Sequence, residues 1–285
     1  MARLYLLFVM LVAMLAAGCV TAPISSRGEA QAHLSSPTKV TRDLFQLPPP
    51  KGKVVVAVYG FRDQTGQYKP SPESSFSTAV TQGAGAILIK ALQDSGWFIP
   101  VERENLQNLL TERKIVRALE SPPEKGVPAP QVPQLLPASI LMEGGVTAYD
   151  SNIRTGGLGA GFLGISLSTQ YRVDQVTVSL RSVDIRSGRI LGSVSTTKSL
   201  LSYEVRPSVF KFGNFKDLAQ FEAGVTRNEP AELCVREAIE SAVVFLIVRG
   251  VANQHWALSD PRDWDTPLIK AYLQDDPQPA TRRKD

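Results

Sequence analysis

The sequence predicts an α+β fold, and three observations predict it. Strand-like apolar runs and amphipathic helical stretches alternate from Lys53 to Tyr149. A hairpin signal and one long apolar helix follow that layer, which together describe a sheet and helices sharing one core. Two further segments, Ile153 to Val173 and Tyr203 to Ala223, are rich in glycine and phenylalanine and fit neither pattern. They read as β-hairpins added to the layer.

Lys53 to Phe61 (KVVVAVYGF) is a strand by its β-branched content. A polar loop follows over 62–77, with Gly66, Pro70 and Pro72 as turn residues. Thr78 to Asp94 has a helical apolar face made of Val80, Ala84, Ile87, Leu88, Ala91 and Leu92. Gly83 and Gly85 weaken its first half, each costing about 1 kcal/mol against Ala, unless their small size admits a close neighbour. Trp97 to Val101 is a short strand. Glu104 to Leu119 is a second helix carrying Leu106, Leu109, Leu110, Ile115 and Leu119. After a Pro-rich loop from Ser121 to Pro133, Ser139 to Tyr149 is again a strand. Val176–Leu180 and Ile190–Val194 are strands joined through a hairpin turn over Asp184–Arg189. The last strong element is a helix from Pro230, a residue suited to the first turn, through Val248. These elements make one α/β domain over 53–152, 174–202 and 224–262. The stretch 263–285 is polar and reads as a tail, disordered beyond Asp275.

In the first Gly-rich segment Ile165, Leu167, Thr169, Tyr171 and Val173 share one strand face, whereas past Asp174 the apolar face is Val176, Val178 and Leu180. A shift of one residue turns every side chain over, so the surroundings of this strand change near Asp174–Gln175. Both segments, 153–173 and 203–223, can go out and return with about ten residues per strand, the length that crosses a bilayer. The same lengths also suit two long hairpins in water.

The N-terminus has the anatomy of a secretory signal over 1–18. Arg3 is basic, Leu4 to Ala17 is apolar and uncharged, and Ala16-Ala17-Gly18 are small. The run is shorter than the roughly 20 residues of a spanning helix. Cys19 stands at the cleavage point, where its thiol can carry a diacylglycerol, so the chain is expected to be an exported lipoprotein. Ala16 occupies the place where the usual lipobox prefers Leu. Val20 is not the Asp that retains such proteins at the inner membrane, which favours the outer one. Residues 19–52 hold many Ser, Thr, Pro and Ala and few core formers. They are expected to be an extended tether.

Charge and chemistry exclude several classes. Without residues 1–18 there remain 30 basic and 27 acidic residues, a charge of +3, too mild and too scattered to call for nucleic acid. With Cys19 lipidated, Cys234 has no disulfide partner; its helical setting suggests a small buried hydrophobe. Gly159-Ala-Gly161-Phe-Leu-Gly164 matches a dinucleotide fingerprint, but that motif works only between an apolar strand and a helix, and an alternating strand follows here. His33 and His255 are the only histidines. Catalytic triads and metal clusters are poorly supplied, so neither enzyme activity nor a cofactor is expected beyond a covalent lipid on Cys19.

Several stretches resemble the CsgG family of curli secretion channel lipoproteins. They are Gly66-Gln-Tyr-Lys-Pro70, Phe76-Ser-Thr-Ala-Val80, Trp97-Phe-Ile-Pro100, Leu106-Gln-Asn-Leu-Leu110, Glu112-Arg-Lys-Ile115, Thr169-Gln-Tyr171, Leu201-Ser-Tyr-Glu-Val205 and Asn228-Glu-Pro230. The resemblance implies an outer-membrane channel built from a ring of subunits. Each subunit keeps its α/β domain in the periplasm and gives two transmembrane hairpins, here 153–173 and 203–223, to one oligomeric β-barrel. A ring of nine, about 36 strands, is the family's own barrel and not a count drawn from this chain. The implied cargo is unfolded curlin-like subunits moving without nucleotide, with a periplasmic cap and an extracellular nucleator as accessory partners. The family's pore narrows at the loop after the first strand, at a Tyr, an Asn and a Phe. In this chain Ser71, Ser75 and Phe76 stand there, with Tyr68 nearby, so only the phenylalanine matches. A Phe76 ring would form an apolar collar in a wider opening, unless Phe76 packs against a neighbouring subunit. The competing reading is a tethered periplasmic lipoprotein that binds and activates a cell-wall synthase, which needs no membrane hairpins.

Overall fold

Runs of β-branched residues set the middle of a six-stranded sheet. The computed structural model describes residues 34–68, 78–119, 132–155, 170–206, 209–214 and 230–276. It separates into units Met1–Ser36 and Pro37–Asp285, and the second holds every element below. β1 (Val54–Asp63) lies between β2 (Phe98–Val101) and β3 (Ile140–Thr155), parallel to both. Parallel neighbours need crossovers, and helices α2 (Ala84–Asp94) and α3 (Leu106–Leu119) provide them. β4 (Gln170–Asp184), β5 (Ile190–Arg206) and β6 (Val209–Asn214) then continue as an antiparallel meander, giving the order β2-β1-β3-β4-β5-β6.

One face of the sheet is covered by α2 over β1 and β2 and by α4 (Pro230–Ala252) over β4 and β5. The alternation on β4 records this cover: Asp174, Val176, Val178, Leu180 and Ser182 are buried, while Gln175 and Arg181 are exposed. α4 is apolar nearly all round because it is enclosed nearly all round. Its other sides meet α2, the short helix α1 (Lys39–Phe45) and α5 (Pro267–Gln274). Among the described residues no helix is long and apolar enough to cross a membrane.

The elements expected from sequence are present, with shifted ends. α2 begins at Ala84, not Thr78, because Thr78 pairs with Tyr68 across the preceding loop and Gly83 is the N-cap. The glycines therefore sit at the start of the helix, where they cost little. A Cβ on Gly85 would lie 3.4 Å from the Phe61 carbonyl oxygen, so its bareness lets α2 approach β1. The Asp184 turn is a hairpin as expected. Its carboxylate accepts from the Ser187 hydroxyl at 2.5 Å and the Ser187 amide at 3.1 Å, and these bonds, the hydroxyl's foremost, hold its pKa below the usual range. Gly188 takes the positive φ of 70°. Cys234 is fully buried in α4, and burial pushes its thiol up to about 12.

Two expectations are overturned. The tether does not stay extended through residue 52. Lys39–Phe45 is helical, with Thr38 and Thr41 exchanging the side-chain and backbone bonds of a capping box. Leu44 and Leu47 enter the core, and the Pro48 carbonyl accepts from Trp97 Nε1 at 2.8 Å. Nor is 263–285 a featureless tail. A 3₁₀ turn over Pro261–Asp265 leads into α5, whose Ile269 is buried and whose Tyr272 ring meets Phe245 edge to face at 5.0 Å. Prolines at the first turn start both elements without needing a helical N–H.

α1 is tied down through a buried acid. Glu240 accepts from Thr41 Oγ1 at 2.9 Å and Thr38 Oγ1 at 3.1 Å, yet burial still raises its pKa above the ordinary carboxyl range. A carboxyl raised in the folded state contributes stability that is full below its unfolded pKa and is lost as pH rises through the folded value. Glu240→Gln is therefore expected to gain on the parent protein between pH 4 and pH 7, read as the difference in urea midpoints. A difference that stays constant with pH would refute this. Gly250→Ala is expected to destabilise by about 1–3 kcal/mol, because a Cβ there would lie 1.9 Å from the Trp256 ring. A midpoint equal to the parent's would show that the ring gives way freely.

Candidate functional site

The loop after β1 and the outer parts of β3 to β6 leave the sheet at the same end. β1 pairs with β3 from Val56↔Ile140 to Asp63↔Val146, and β3 then runs on to Thr155. Asp63 shapes the start of the loop. Its Oδ1 accepts from the Thr65 amide at 2.9 Å and the Thr65 hydroxyl at 2.7 Å, and Gly66 follows at φ 64°. The Gln64 amide donates to the Val146 carbonyl at 2.9 Å, which ties this turn to β3. Gly145 allows the close approach, since a Cβ there would stand 2.5 Å from the Arg62 carbonyl oxygen. The two ends of the loop are then drawn together: Tyr68 bridges Thr78, and the Ala79 amide donates to the Gln67 carbonyl at 2.8 Å.

Of the residues expected at a narrowing, only Tyr68 is described. It stands at the root of the loop, 62 % exposed, and its backbone is half of the bridge that closes the loop. Ser71, Ser75 and Phe76 lie outside the described residues, as does Cys19. The structure thus describes the two ends of this loop, paired at Tyr68 and Thr78.

Those strands are unusually long. β3, β4 and β5 have 16, 15 and 17 residues, against a typical strand of about 5–6. Their pairing continues across four strands beyond the part that β1 supports. Ser151, Asp174, Leu200 and Asn214 form one cross-strand row, and Arg154, Tyr171, Tyr203 and Lys211 form another further out. The described ends of the expected hairpins, 153–155 with 170–172 and 203–206 with 209–211, are extensions of the sheet itself. The first is paired out to Thr155↔Gln170, with 156–169 outside the described residues. In the second, pairing runs from Leu200↔Asn214 to Arg206↔Val209, and 215–223 lies outside the described residues.

The row at Asp174 is a chemical boundary that sequence reading marked without finding its chemistry. Asp174 is fully buried, the Tyr149 hydroxyl donates to its Oδ1 at 3.0 Å, and Cys234 Sγ lies 3.7 Å from its backbone oxygen. Cys234 is in the first turns of α4, so the helical cover of the sheet ends near this row. β4 pairs in unbroken register through Asp174–Gln175 on both sides. The change of apolar phase there is consequently no bulge. The strand is regular from Gln170 to Leu180, and the change of phase lies in the sequence.

α3 is the other feature that the sequence did not resolve. None of its residues is buried, although it is amphipathic; Ile115, Val116 and Leu119 are exposed, the last to 76 %. Arg113 of the helix donates to the Pro133 carbonyl, and Arg103, just before the helix, donates to the Leu136 carbonyl at 3.1 Å.

The family model for the curli production assembly/transport component CsgG matches residues 38–272. The chain belongs to the CsgG family. It is 45 % identical over 270 residues to the curli production assembly/transport component CsgG of Escherichia coli strain K12, covering 93 % of this chain and 96 % of that one. It is 44 % identical over 272 residues to the protein of that name in Salmonella typhimurium, covering 94 % and 96 %. Among solved structures, lipoprotein GNA1162 from Neisseria meningitidis matches 58 % of this chain and 90 % of its own, at 19 % identity and a TM-score of 0.28. That likeness is too loose to inform the CsgG-family fold.

If Asp63 shapes the loop root, Asp63→Ala frees the Thr65 amide and hydroxyl at once. Amide exchange of Thr65, Gln67 and Ala79 is expected to speed up by about tenfold, while that of β1 at Val56–Val58 stays unchanged. Equal rates in the two proteins would show that the turn is held by other bonds.

Proposed function

We propose that this chain is one subunit of an outer-membrane secretion channel, lipidated at Cys19, with its α/β domain in the periplasm. β3 to β6 contribute two hairpins to a shared barrel, and unfolded curlin-like subunits pass through its lumen without nucleotide. The observation that carries this reading is the change of apolar side at Asp174 in an unbroken strand. Below that row the apolar residues of β4 face α4, whereas before it the sequence sets its apolar positions, Ile165 to Val173, on the opposite parity, which supports an apolar medium against that face, and bilayer hydrocarbon is such a medium.

Closure requires several copies. In hydrocarbon every backbone group must be paired, so only a closed sheet suffices, and four strands fall short of the smallest membrane barrels, of about eight. Past Val146 the outer edge of β3 has no strand partner among the described residues, nor has the outer edge of β6. The four strands run up, down, up and down, so β6 of one copy can meet β3 of the next antiparallel and close a head-to-tail ring. The uncovered face of α3 supports the same arrangement, since a helix with no buried side chain finds its packing on a neighbouring copy. Phe76, carried on the loop at the barrel's base, would ring the lumen with an apolar collar. Its neighbours Ser71 and Ser75 are small, which leaves the opening wide. A cap on the periplasmic side and a nucleator outside would give the cargo direction.

The deciding experiment is single-channel conductance of the detergent-purified protein in a planar bilayer. Stable steps are expected, and Phe76→Ala should enlarge them. Absence of steps from a monomeric protein would sink the channel and favour the tethered activator. Independently, Val116→Asp is expected to lower the yield of detergent-stable rings severalfold in native electrophoresis while leaving the circular dichroism of the domain intact. An undiminished ring would remove α3 from the subunit contact.

A further inference from the structure

The face of the sheet that α4 leaves uncovered continues in register onto the outer parts of β3 to β6, and its chemistry changes along the way. Residues paired directly across strands share a face, and the next row on that face lies two residues, about 7 Å, further on. Starting within the domain, the first row holds Thr177 and Thr197, whose hydroxyls lie 3.0 Å apart. The second holds Asp150, Gln175 and Ser199. Asn152, Val173, Leu201 and Gly213 make the third, and Arg154, Tyr171, Tyr203 and Lys211 the fourth. Beyond it, the alternation of the sequence sets Thr169, Leu167 and Ile165 on this same face. The fourth row thus stands where a polar face gives way to an apolar one.

The residue types of this row agree on one environment. On the outside of a membrane barrel a basic residue is costly at the bilayer midplane and costs little near its surfaces. Tyrosine gathers at the same surfaces, its ring in the apolar layer and its hydroxyl among the headgroups. Arginine and lysine suit that level too, since their apolar stems can lie along the barrel while the charge stays in water. The backbone sets Arg154 and Lys211 three strands, about 14 Å, apart, with both tyrosines between them. The third and fourth rows hold no acid. The first met on this face is Asp150, four residues and about 14 Å from Arg154 along β3. Among the described residues no acid therefore stands at the neighbouring positions of their face, and a lipid phosphate is the anion that this depth supplies.

We propose that this row binds anionic phospholipids of the leaflet on the domain's side. Arg154 and Lys211 each take a headgroup phosphate, and Tyr171 and Tyr203 occupy the boundary between headgroup and chain. The row thereby fixes the depth at which the subunit sits in the bilayer. In a ring it recurs in every copy and becomes a belt around the base of the barrel. This binding rests on the channel reading and adds to it the lipid class that the barrel selects and the level at which the bilayer begins.

The test is the heat stability of the full-length ring in detergent, read as the temperature at which half of it falls to monomer in native electrophoresis. Phosphatidylglycerol mixed into the micelles is expected to raise that midpoint by about 5 °C or more above the value with phosphatidylcholine. Arg154→Gln combined with Lys211→Gln should remove the gain. Lys51→Gln combined with Lys53→Gln takes the same charge from exposed positions of the domain and should keep it. Equal midpoints with the two lipids, a gain that survives in the first pair, or its loss in both pairs would overturn the proposal, as would inorganic phosphate giving the same gain. Depth is read separately with Tyr171→Trp in vesicles, so the answer does not depend on the basic variants assembling. Lipids brominated next to the headgroup should quench this tryptophan at least about twofold more than lipids brominated near the chain end. The reverse order would refute the row's depth. A ring that conducts but shows neither effect refutes the lipid site alone, whereas a protein that forms no ring refutes the channel reading and this site with it.

Discussion

The packing of α4 against β4 and β5 is the constraint from which the other features follow. Val176, Val178, Leu180 and Val194 on the strands and Ala238, Ile239, Ala242, Val243, Leu246 and Ile247 on the helix are all buried. Each fully buried aliphatic side chain of this size contributes about 1.5–3 kcal/mol, so this layer dominates the stability of the sheet's antiparallel half. The remaining sides of α4 are covered by α1, α2 and α5. The N-terminal stretch and the C-terminal helix are therefore parts of the core that grip α4 from behind, with Glu240 as the polar fastening for one of them.

That arrangement explains which parts of the fold were legible in the sequence. β1 and α4 were read with little error, and α2 correctly except for its first turn and a half, because their apolar periodicity is strong and their burial one-sided or complete. α1 was missed because its seven residues carry almost no apolar pattern. Its stability comes from Thr38, Thr41 and a carboxylate some 200 residues away, and tertiary partners of this kind leave no local trace. α5 was missed for the same reason: it is short, in a polar stretch, and held by Ile269 and Tyr272. β4 was read in part. Sequence reading found strand alternation on both sides of Asp174 and a change of surroundings there, but that the backbone pairs through Asp174–Gln175 without a shift follows only from the register.

The candidate site was legible unevenly. The loop after β1 could be placed from Gly66, Pro70 and Pro72, yet the Asp63 and Gly145 contacts that anchor its first half could not, since both depend on β3 coming alongside. The glycine and phenylalanine content of 153–173 and 203–223 drew attention to them as additions to the layer. That they extend strands already in the sheet follows only from register. The uncovered side of α3 was invisible in sequence, where its leucines look like those of any core helix.

The unbroken ladder across Ser151, Asp174, Leu200 and Asn214 has a mechanical consequence. β4 carries the pairing through that row without a shift on either side, so the helix-backed part of the sheet and its extension share one continuous set of backbone hydrogen bonds. In the ring proposed above, the pitch at which neighbouring domains lean on one another would then set the slant of the strands above them, and a side chain that shifts one domain against the next would turn all the staves together.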